Sequence, residues 1–265
     1  MEFTLNDLHL HSALSACCHD ENLTPQTMLD YAEAHNYSAL CLTDHLWDSA
    51  VPGPSDWYAP QNIEHVRSAL PLPKPKGSMP FYFGCETELP ANGKPALARE
   101  NYDLFDFVVI PVNHMHMKGL VRPLDIDTPE KMARYVEDRL ENLLEQDLPF
   151  RKIGLAHLNG HLMFAEASPY DVIACMDEAR LLRIFKGYAE AGTGIELNAS
   201  CFVSEWDSRR REALLPYEIA KEAGCKFYGC SDAHSVKSLS LVPDELPKVI
   251  AALGLTAEHQ YTIPV

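Results

Sequence analysis

Positive charge is scarce in this sequence. Lys and Arg number 22 against 38 Asp and Glu, a formal net charge of −16. That balance makes long nucleic acid an unfavourable partner, because the mean field repels a polyanion. The same balance suits a protein that holds divalent cations. Long apolar runs are also missing. No stretch approaches the ~18 apolar residues of a membrane span, so no membrane partner is expected. The N-terminus has no basic segment leading into an apolar one, so no signal peptide is expected. None of the eight cysteines, at 17, 18, 41, 85, 175, 201, 225 and 230, forms a C-x-x-C pair. A chain of 265 residues buries a large core without disulfides, so these read as reduced thiols of a cytoplasmic protein. No repeat of fixed period is present.

What is present is an alternation. Short apolar runs end in polar residues and are followed by loops and helices. The first leads through Phe3-Thr4-Leu5 to His9-Leu10-His11. On a strand, residues two apart share a face, so His9 and His11 present two imidazoles together. Ser38–Thr43 ends in Asp44-His45, Phe81–Cys85 in Glu86, and Phe107–Val112 in Asn113-His114-Met115-His116. Ile153–Ala156 ends in His157, Gly194–Leu197 in Asn198, and Lys226–Gly229 in Ser231-Asp232-Ala233-His234. Helices are expected to open at Thr24-Pro25, Thr128-Pro129 and Ser168-Pro169, where a hydroxyl caps and proline fits the first turn. Others are expected over 61–70, 208–223 and 244–253.

Strands alternating with helices predict a parallel sheet with helices outside it. Seven such units over residues 1–265 predict one α/β domain closed into a TIM-like barrel, with its site at the strand C-terminal ends. Those ends carry His9, His11, His45, Glu86, His114, His116, His157, Asp232 and His234. Such nitrogen and oxygen donors suit Zn²⁺, Mn²⁺ or Fe²⁺. They exceed what one ion can use, which predicts a cluster of two or three cations with Glu86 bridging.

These motifs resemble the PHP family (polymerase and histidinol phosphatase). The family's elements read here, in order, as His9-Leu10-His11, Thr43-Asp44-His45, Gly84-Cys85-Glu86, Asn113-His114, Ala156-His157 and Ser231-Asp232-Ala233-His234. The resemblance implies a distorted (β/α)7 barrel, up to three metal ions and phosphoester hydrolysis. It departs in two places. The family commonly has a His or Asp ligand soon after the H-x-H, whereas this loop reads Ser15-Ala16-Cys17-Cys18-His19-Asp20. His19 is the first candidate, Asp20 the second, and a cysteine thiolate the third. Two histidines, His114 and His116, also stand where one is expected. His114 is taken as the ligand, and His116 as a general acid, a substrate contact or a residue outside the site.

Asp44 is a candidate catalytic residue, holding a ligand imidazole or moving a proton. Asn198 is a weaker candidate to face the site, and His161 reads as a loop residue. Arg209-Arg210-Arg211 could offer a phosphate contact, though a solvated helix face fits better. The loop from Trp47 to Tyr58 could form a lid. The expected reaction is hydrolysis of a small phosphate monoester or diester by metal-activated water. Two alternatives stand beside it. One is an amidohydrolase-type C–N hydrolase, although no strand end carries the metal-bridging lysine of many such enzymes. The other is a non-catalytic, metal-stabilised binding module.

Overall fold

The computed structural model describes residues 2–163, 166, 168–203 and 206–264. Its strands are β1 (Asp7–Leu10), β2 (Leu40–Leu42), β3 (His45–Leu46), β4 (Phe81–Thr87), β5 (Phe107–Pro111), β6 (Ile153–Ala156), β7 (Gly194–Asn198) and β8 (Lys226–Cys230). All pair in parallel, in the order β1-β2-β4-β5-β6-β7-β8. The two-residue β3 extends the line of β2 and pairs with the end of β4, His45 opposite Glu86. The barrel closes between β1 and the segment after β8. Asp232 N–H donates to the His9 carbonyl (2.9 Å) and His11 N–H to that of Ala233 (3.1 Å). The buried Asp7 carboxylate fastens the same seam by accepting from Ser231 N–H and Oγ–H.

Helices cover the outside: α1 (Pro25–Ala34), α2 (Ile63–Arg67), α3 (Pro129–Leu144), α4 (Pro169–Ile173), α5 (Glu178–Ala191), α6 (Arg210–Glu222) and α7 (Leu241–Leu253). Thr24, Thr128 and Ser168 cap α1, α3 and α4 ahead of prolines, as expected. The helical segment that opens at Ser168-Pro169 is broken into α4 and α5, with Asp177 capping the second piece. Among the described residues, no helix is long and apolar enough to cross a membrane.

Strand parity sorts the core into two layers. On β5, Val108 and Ile110 join the large outer layer under the helices, while Phe107 and Val109 join an inner cluster with Leu8, Cys41, Ala156 and Tyr228. Each large apolar side chain removed from water contributes roughly 1.5–3 kcal/mol. Tyr261 and Ile263 pack against the inner cluster. Gly154 makes room inside the barrel, because a Cβ there would run into the Tyr228 and Phe107 rings. Going up the barrel, the inward positions change from apolar to titratable: Gly84 gives way to Glu86, Gly194 to Glu196, and Tyr228 to Asp232. On β1 the register shifts between Asp7 and Leu10, and irregularities of this kind re-aim side chains next to sites.

Candidate metal centre

The upper rim brings His9, His11, His45, Glu86, His114, His157, Asp232 and His234 together. Glu86 stands in the middle, 1% exposed. Its Oε2 lies 3.4 Å from His9 Nε2, 3.4 Å from His11 Nε2 and 2.8 Å from His45 Nδ1. Its Oε1 lies 3.3 Å from His157 Nε2 and 3.6 Å from His114 Nε2. Asp232 Oδ1 is 3.3 Å from His11 Nε2 and 3.7 Å from that of His9. Donor atoms of His9, His11 and Glu86 lie within 4.8 Å of one another, as do those of Glu86, His114 and His157, and those of His11, His45 and His234.

Hydrogen bonding aims the lone pairs. His9 Nδ1–H donates to Glu196 Oε2 (2.6 Å) and His114 Nδ1–H to Glu88 Oε2 (2.8 Å), leaving Nε2 of each ring as the free donor atom. Ser15 Oγ–H donates to Asp44 Oδ1 (2.7 Å), so Ser15 must accept from His11 Nδ1–H (3.0 Å). The Nε2 atoms of His9 and His11 then face each other at 3.1 Å. Two lone pairs at that distance repel unless a cation or proton lies between them. His45 Nδ1 is buried without a hydrogen-bond partner although Glu86 is near. Both features fit a site for divalent cations.

The electrostatics agree. Burial alone would depress His9, but Glu86, Glu196 and Asp232 raise it to about 10. Burial and the His234 and His45 rings drive His11 well below the usual imidazole value. Burial opposes ionisation of Glu86, yet His45 and His9 hold it well below the carboxylate range. Asp232 is likewise depressed, with burial outweighed by His9 and His11. Protons and metal ions compete for the same donors here. Two of the candidate ligands have left-handed backbone, His157 (φ 64°) and Asp232 (φ 52°). The Asn113 amide, donating to the His157 carbonyl, holds one of these turns.

Several expectations need correction. His19 is exposed and outside the cluster. Asp20 accepts from Val236 N–H (2.9 Å) and so ties two loops together. Cys17 is the loop residue that lines the pocket, with Sγ 3.0 Å from His234 Nε2. Burial would raise its thiol, but His234 and His45 lower it to about 7. Asp44 does not line the pocket. It is 2% exposed and accepts from Ser12 N–H, Ser12 Oγ–H and Ser15 Oγ–H, so it reaches His11 only through Ser15. His116 is exposed at the pocket mouth, where desolvation and the His114 ring push it down to about 4. It is therefore neutral near pH 7, which suits a substrate contact better than a protonated acid. Arg209, Arg210 and Arg211 pair with Asp171, Asp207 and Glu178 away from the rim. His161 is exposed, while Asn198 does face the site, with Nδ2 3.2 Å from Asp232 Oδ2 and from His157 Nδ1. In the loop expected as a lid, Trp57 stands exposed at the mouth and Tyr58 is buried, its hydroxyl on Glu88.

Glu88 and Glu196 were missed, and both had signals. Glu88 follows Glu86 by two residues, the spacing that paired His9 with His11. Glu196 is a lone charge within a buried apolar strand, where an unpaired charge is costly.

A family model described as PHP domain matches residues 7–200. A search of curated proteins finds no match. The fold is similar to a histidinol phosphate phosphatase from Lactococcus lactis, solved with zinc, L-histidinol and phosphate. That likeness has 16% identity, a TM-score of 0.61, and covers 98% of this chain and 99% of that one. It is also similar to a protein from Listeria monocytogenes named as a candidate histidinol phosphatase, at 12% identity and TM-score 0.54, over 88% of this chain and 96% of that one.

Proposed function

The chain belongs to the PHP family, and on that premise we propose that it is a metal-dependent phosphoesterase acting on a small phosphate ester. The observation that carries this reading is the position of Glu86 between two sets of imidazoles, with one carboxylate oxygen toward each. His9, His11 and Asp232 would hold one cation beside Glu86 Oε2. His114 and His157 would hold a second beside Oε1. A third would lie toward His45 and His234. Zn²⁺, Mn²⁺ and Fe²⁺ suit these donors. When bound, such ions acidify water and stabilise charge on phosphoryl oxygens.

The chain's own residues do the rest. Glu196 and Glu88 fix the tautomers of His9 and His114, so that their Nε2 lone pairs face inward. Asp44 does the same for His11 through Ser15. The pocket above them has a volume of about 460 Å³, within the range of small-molecule sites. Among the described residues lining it there is no lysine or arginine. The charge of the phosphate would be met by the cations these residues hold, and Trp57, Met117 and Leu162 offer an apolar wall to the remainder of the substrate.

The test is elemental analysis of gently purified protein, with hydrolysis of an aryl phosphate measured on the same sample after adding Mn²⁺ or Zn²⁺. Two to three cations per chain with turnover, abolished in Asp232→Asn, is the expected result. Full metal occupancy without turnover of any phosphoester would favour a binding module. Turnover of amides or lactones alone would move the bond cleaved to C–N.

A further inference from the structure

We propose that the Cys17 thiolate completes the cation position at the pocket mouth with His45 and His234, and that its sulfur makes this position selective for thiophilic ions such as Zn²⁺. The inference rests on the metal-cluster reading above and adds a donor to it. His234 Nδ1–H donates to the Asp232 carbonyl (2.9 Å), so the Nε2 lone pair is the one that faces Cys17 Sγ at 3.0 Å. A second observation is independent of the sulfur. His45 is 8% exposed, and its buried Nδ1 lies 2.8 Å from Glu86 Oε2 yet makes no hydrogen bond. The His11 ring stacks between those of His45 and His234, at 4.4 Å from each, which aligns the three imidazoles along one wall.

The loop that carries Cys17 is held on both sides. Ala16 N–H donates to Gln61 Oε1 (2.8 Å), Cys18 N–H to the Ser15 carbonyl (2.8 Å), and Cys18 Sγ lies against the His234 carbonyl (3.4 Å). The sulfur is therefore positioned by neighbours that are themselves fixed. This is the preorganisation a ligand needs. His19 points to solvent and Asp20 is committed to Val236, so neither competes. Thiolate donors favour Zn²⁺ over hard ions such as Mn²⁺ and Mg²⁺. On binding, any proton still carried by Cys17, His45 or His234 passes to solvent and the lone pair it held goes to the metal, so capture of a cation there releases protons.

The full-length protein is stripped with a chelator and titrated with Co²⁺, following the near-ultraviolet sulfur-to-cobalt charge-transfer band and the bound cobalt. The expected result is a band in the wild type that disappears in Cys17→Ser together with one cobalt equivalent. The band persists in Cys201→Ser and in Cys175→Ser. Cys17→His keeps the equivalent, shows no band, and shifts the competition at that position from Zn²⁺ toward Mn²⁺. It also guards against loss of fold as the explanation for Cys17→Ser. Cobalt binding without a band, or a band unchanged in Cys17→Ser, would overturn the Cys17 assignment and leave the cluster standing. A band lost only in Cys201→Ser would place the sulfur donor elsewhere. A wild type that binds no cobalt would overturn both the assignment and the cluster.

Discussion

The inner and outer sides of the rim are backed differently. On the inner side, the ring nitrogens that face away from the cluster end on buried carboxylates, His9 on Glu196 and His114 on Glu88. His9 and Glu196 are fully buried. On the outer side, His234 ends on a main-chain carbonyl, its side chain is 33% exposed, and its neighbour Cys17 comes from a loop. A carboxylate behind an imidazole fixes its tautomer and raises its donor strength, which a neutral carbonyl does less well. On the proposed metal-cluster reading, the inner positions would retain cations and the outer one would exchange them more readily.

The sharpest way to break this contrast is Glu86→Ala. The substitution removes the group shared by the two inner sets of donors. It should abolish inner-site occupancy and turnover, read by elemental analysis after desalting with circular dichroism as the check on fold. Two retained equivalents would contradict the central role of Glu86. Glu196→Ala should weaken the tightest cation by ~10–100-fold, the usual effect of losing a partner behind a ligand, measured by competition with a chromophoric chelator. Glu196→Gln should recover part of that loss. Graded acidification should strip the outer cation before the inner ones. Protons take the donor lone pairs as pH falls, so occupancy declines in that direction, and metal added back near neutral pH should release protons in a weakly buffered titration. Simultaneous loss of all cations would mean that the two sides are not distinct. Tyr58→Phe should have the smallest effect. It removes one buried hydrogen bond to Glu88, worth about 1 kcal/mol, which is less than tenfold in affinity and about 2–4 °C in Tm.

Most of the barrel was legible because parallel strands covered on both faces read as short apolar runs, and those runs here end in chemically active residues. The pairing of His9 with His11 followed from strand parity alone. The limits were local. His45–Leu46 is too short to show a pattern, and it appears as a strand only because the end of β4 runs beside it. Which residue of the loop after His11 turns inward could not be read from spacing. It depends on Asp44 gathering Ser12 and Ser15, which turns Cys17 toward His234 and His19 toward solvent. The same bonds explain why Asp44 sits behind the site although it directly precedes a candidate ligand. The Glu196 carboxylate is held in part by the Tyr228 hydroxyl (3.3 Å), whose ring fits only because Gly154 has no side chain. That dependence crosses three strands and has no local signature.

The left-handed backbone at His157 and Asp232 restricts which residues can occupy those positions. Histidine, aspartate, asparagine and glycine enter that region readily, whereas a β-branched residue there is a conformational outlier. An alanine would lose the donor and also meet a backbone cost on the order of 1–2 kcal/mol, so its effect would mix two causes. Asparagine keeps the turn and removes only the charge or the imidazole. The residues that tolerate this turn include two of the commonest metal donors, histidine and aspartate. Exchange between them at either position would change the hardness of the ligand field while leaving the main chain undisturbed.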